Sequence, residues 1–191
     1  MAEARGFGAG VVETADRVLR YCTFATLVVS SLAIGVLALL GTADIVGVSL
    51  FERSIPSAIE LMEATAAVAI AGAMGAAQYE RANIEVDILT GALSDGMRRF
   101  AEALAGFCGF VVFAALFQES AKLAIRSLDV LELNHGFVAF PIYPFKILVA
   151  VGFGITALQF LRLLLRALLG RPTTKSESLF PQLHKVPERE G

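Results

Sequence analysis

The chain is poor in the side chains that most chemistry at neutral pH requires. It has only two histidines, His135 in a polar bridge and His184 near the C-terminal end, and only two cysteines, Cys22 and Cys108. A haem held between helices needs histidines inside the apolar segments, and none lies there. Both cysteines fall within apolar runs, where a small buried side chain is their ordinary role and a disulfide or metal site is not expected. There is no phosphate-cradling glycine loop, no zinc-ligand cluster and no serine–histidine–acid set. Charge is scarce as well: 18% of the residues are charged, against about 25% in a soluble globular chain. A net charge of −2 gives no basic footprint for nucleic acid. Catalysis is not expected, and neither a metal nor a cofactor is called for.

Long apolar runs fill the chain instead. Four of them, at about residues 18–43, 55–77, 100–123 and 142–165, occupy most of its 191 residues. Each is close to the ~20 residues that a helix needs to cross a hydrocarbon core ~30 Å thick. A soluble bundle would carry apolar stripes with charged outer faces, whereas these segments are apolar all round, and 56% of the chain is hydrophobic. The expected fold is therefore an all-α integral membrane protein with four transmembrane helices. Residues 1–17 form an amphipathic lead, 18–169 the membrane domain and 170–191 a flexible tail. The acidic, glycine-containing start lacks the compact basic region of a cleaved signal, so the first span is expected to be retained.

Basic residues set the orientation. Threaded through four spans, 12 of the 16 lysines and arginines fall on one side, and Arg53, Lys122, Arg126 and Lys146 fall on the other. Positive charge stays on the cytoplasmic side, which predicts both termini inside.

Local patterns refine this picture. Val11, Val12, Ala15, Val18 and Leu19 recur at helical spacing, which predicts a short interfacial helix ahead of the first span. That span is expected to end near Asp44, with a loop from Val46 to Ser54; Ser54 is the cap candidate and Pro56 the first-turn proline of span two. In span two, Ala67, Ala71 and Gly75 recur four apart, a narrow seam for another helix, either in the bundle or in a partner. Asn83, Glu85 and Asp87 suit the start of a second interfacial helix between spans two and three. The bridge from Ser127 to Pro144 reads as a short surface helix. Glu102, Glu119, Lys122 and Lys146 are expected near span ends, at headgroup level. Glu60 and Glu63, three apart on one face near the outer surface, are candidates to face a partner or to form ion pairs.

Two motifs resemble a known family. Residues 44–60, DIVGVSLFERSIPSAIE, contain the aspartate, glycine, phenylalanine, proline and glutamate of the pattern at Asp44, Gly47, Phe51, Pro56 and Glu60. Residues 81–87, RANIEVD, contain Arg81, Asn83 and Asp87. Together with the chain's size and its four spans, over about residues 11–170, they resemble the small membrane subunit, the DctQ-type component, of tripartite ATP-independent periplasmic (TRAP) transporters. Val48, Ser57 and Ala82 depart from the family pattern, which often has arginine, glycine and glycine there. The resemblance implies a non-enzymatic scaffold subunit in a bacterial inner membrane. Its partners are a separate large multi-span subunit carrying substrate and sodium sites, and a periplasmic solute-binding protein docking on the outer face. The cargo implied is an organic acid such as a dicarboxylate, keto acid or sugar acid. Two other classes stay open at this point: a membrane-anchor subunit of a redox complex, and a small homo-oligomeric channel or exporter.

The charge asymmetry predicts a labelling pattern. In a background lacking Cys22 and Cys108, a membrane-impermeant thiol reagent added to intact cells labels single cysteines replacing Arg53 or Glu132. Those replacing Arg98 or Lys175 stay protected, and external labelling at 175 reverses the assignment.

Overall fold

Segments without internal backbone partners cannot rest in hydrocarbon, so apolar runs of this length resolve into helices. The computed structural model describes residues 2–79, 95–133 and 139–168, with side chains from residue 16 onward except at 95 and 98. The helices are α1 (Ala2–Phe51), α2 (Ala58–Tyr79), α3 (Asp95–Asp129) and α4 (Tyr143–Leu168). All four are long and apolar enough to span a bilayer. The chain is a multi-pass membrane protein.

Helix limits differ from the sequence expectation in instructive ways. α1 runs unbroken from Ala2 to Phe51, so the lead joins the first span without a break, and the expected loop from Val46 is helical. Nothing between 44 and 51 stops a helix; the stop is Glu52, in the left-handed region at φ 51°, as at many helix C-termini. α2 begins at Ala58, later than expected, after Pro56 and a left-handed Ser57 at φ 59°. α3 continues through Asp129, beyond the expected limit at 123. The bridge after it contains no helix among the described residues. Leu131 turns the chain at φ 46°, Leu133 pairs with Pro141 as an isolated bridge, and the Ile142 amide donates to the Glu132 carbonyl at 3.1 Å. The expected interfacial helix after Asn83 and the tail from 170 lie outside the described residues.

The four helices form a row in the order α1–α2–α4–α3. α1 and α2 make one antiparallel hairpin and α3 and α4 another. The hairpins join where α2 and α4 run side by side in the same direction, with Ala71 beside Gly152 and Gly75 beside Thr156. The backbones touch here: a Cβ on Gly152 would sit 2.6 Å from the Ala71 carbonyl oxygen. Gly72 lies under α1 in the same way, against the Thr26 carbonyl and Ser30, and the Ser30 hydroxyl donates to the Ala69 carbonyl. Between α3 and α4 the fit is larger in scale. Phe160 fills the space left by Gly109 and stacks on Phe113 at 5.3 Å between centroids. Lipid tails provide no hydrophobic drive between helices, so such van der Waals contact and interhelical hydrogen bonds hold the row together.

A row leaves its flanks open. α1 and α3 expose most of their apolar side chains, among them Leu32, Leu39, Ile45, Phe100, Phe107 and Val112. Cys22 and Cys108 also face outward, which corrects the expectation of buried small residues.

The close α2–α4 approach predicts a contrast between two glycines. Gly152→Leu pushes volume into the Ala71 backbone and costs about 1–3 kcal/mol, read as a lowered unfolding midpoint in detergent. Gly35, with nothing within 4 Å of its missing Cβ, accepts leucine with no comparable loss.

Candidate functional site

Polar side chains in an apolar helix stand out because each needs a partner. On α1, Asp16, Thr23 and Ser30 recur every seven residues and fall on one face. They meet Gln159, Arg162 and Arg166 of α4 and the Ala69 carbonyl of α2. Thr23 is fully buried and Gln159 is 4% exposed; the Gln159 amide donates to the Thr23 hydroxyl at 2.6 Å. Below them Asp16 accepts from Arg162 at 2.6 Å through one carboxylate oxygen and from Arg166 through the other. Arg162 also lies 5.2 Å over the Tyr79 ring, a cation–π contact. Through this lock α1, which otherwise packs on α2, reaches α4. Sequence reasoning passed over it, although the seven-residue spacing on α1 was a usable signal.

At the opposite end Asp44 organises the α1–α2 turn. One of its oxygens accepts from the Ile55 amide at 2.7 Å and from the Ser54 hydroxyl at 2.9 Å. Ser54 therefore ties the turn to α1; it does not cap α2 as expected. Gly47 makes room for the returning strand of chain, since a Cβ there would lie 3.0 Å from the Arg53 carbonyl. Asp44, Gly47 and Pro56 thus belong to one folded-back turn, while Phe51 stands exposed at its tip. Arg81, Asn83 and Asp87 lie outside the described residues.

The α3–α4 hairpin is fastened by Lys146. Its ammonium donates to Glu132 at 2.6 Å and to the buried Ser127 hydroxyl at 2.7 Å, and Ser127 donates to Glu132. Of the residues offered as partner-facing, Ala71 and Gly75 are buried against α4, so this part of the seam serves the bundle itself. Ala67 and Glu63 are exposed and Glu60 is half-buried in the first turn of α2, where the helix dipole favours an acid.

One further ion pair lies on the exposed face of α3. Lys122 reaches back one turn to Glu119 at 2.7 Å, with side chains 48% and 69% exposed. α3 continues to Asp129, and exposed Arg126 and Asp129 follow the pair on the same side of the helix. Phe117 packs at Gly154, and Gly152 packs at Ala71, so Glu119 lies near the level of Gly152. Counted along α4, that level is about 9 Å inward of Lys146 and about 15 Å from Arg162.

Among the described residues no group of three or more His, Cys, Asp and Glu side chains is placed to hold a metal ion. What the chain presents is a set of fastenings. Residues 37–170, from the C-terminal part of α1 through α4, match the DctQ component of the tripartite ATP-independent periplasmic transporters. The chain belongs to that family. The DctQ family is one of transporter components, not of enzymes. The match takes in the Asp44 turn, the Ala71–Gly152 contact and the α3–α4 hairpin; Asp16, Thr23 and Ser30 precede it. The chain matches no curated protein and no solved structure.

The lock and the turn fail differently when cut. Asp16→Ala leaves Arg162 and Arg166 without their shared carboxylate and lowers the stability of this DctQ-family chain by about 1–3 kcal/mol, whereas Asp44→Ala loosens only residues 52–57. Amide exchange resolves the two, the first speeding exchange in α1 and the second confined to the turn.

Proposed function

We propose that this chain is the small scaffold subunit of a secondary, sodium-driven importer that receives an organic acid from a periplasmic binding protein. It resides in a bacterial inner membrane with both termini in the cytoplasm. Its partners are a separate large multi-span subunit, which carries the substrate and ion sites, and the binding protein, which docks on the outer face near Glu60, Glu63 and the Asp44 turn.

The row of helices carries this reading. A transporter working alone gathers broken helices and polar groups around a midplane site enclosed by protein. Here α2, α3 and α4 are continuous, and the polar groups of the inner lock, the Asp44 turn and the Lys146 hairpin are spent on joining one helix to the next. The row is broad and is fixed by close backbone contact, and it leaves the apolar flanks of α1 and α3 available. That suits a static element which widens the membrane footprint of a moving subunit. The twelve-to-four division of basic residues supports the orientation.

Reconstitution tests it. The chain alone in liposomes takes up no organic acid under a sodium gradient. Uptake requires the large subunit and the binding protein together with it, and is unaffected by withholding ATP. Saturable sodium-dependent uptake by the chain alone overturns the scaffold reading.

A further inference from the structure

We draw no further inference here: the strongest candidate, the tip of the α1–α2 turn where exposed Leu50 and Phe51 stand beside Glu52 and Arg53, is an apolar patch at a charged helix end, and nothing in the structure shows what covers it.

Discussion

Two helical hairpins become one membrane domain where the α2 backbone touches the α4 backbone at Ala71 and Gly152. Each hairpin is local in sequence, closed by a short turn or bridge. The join between them is not, and neither water nor lipid pushes it together. Dispersion forces fall off steeply with separation, so the contact works only because no side chain stands in the way. α1 hangs on α2, and α3 on α4. A wedge at this one seam therefore reaches elements that it does not touch.

Polar groups then give the packed row its register. The hydrogen bond from Gln159 to Thr23 and the two arginines on Asp16 fix the inner half of α1 against α4. Asp44 holds the outer turn to α1, and Lys146 holds α3 to the start of α4. Each is satisfied inside the chain and each sits toward an end of the row. Glu119 and Lys122 differ in pairing with each other on an exposed face of α3. A subunit that keeps its polar side chains for its own joints has little left for cargo, which agrees with membership in a family of transporter components.

Much of this was legible in the residues. Helical class and number follow from run length and composition, because a bilayer admits no other arrangement of such segments. The motif around Asp44, Gly47 and Pro56 was recognisable before its geometry was known, and so was the small-residue face containing Ala71 and Gly75. Helix ends were less legible. α1 overran its expected stop by eight residues, from Ala43 to Phe51, because Asp44 looks like a boundary charge while its carboxylate is in fact occupied by Ser54 and Ile55 of the returning chain. α3 likewise ran beyond its expected limit at 123, to Asp129.

By itself, then, the sequence determined the solvent in which this protein lives, the number of its spans, the sidedness expected of them and the family to which it belongs. These depend on hydropathy, charge count and short motifs, all of which are local. Only the tertiary structure decided which helix neighbours which, that the seam at Ala71 and Gly75 is used within the chain, and that Asp16 reaches Arg162 and Arg166. Those facts depend on the relative register of segments far apart in the chain, and in lipid register is set by the close fit of particular backbones and by hydrogen bonds between particular side chains, neither of which a single segment contains.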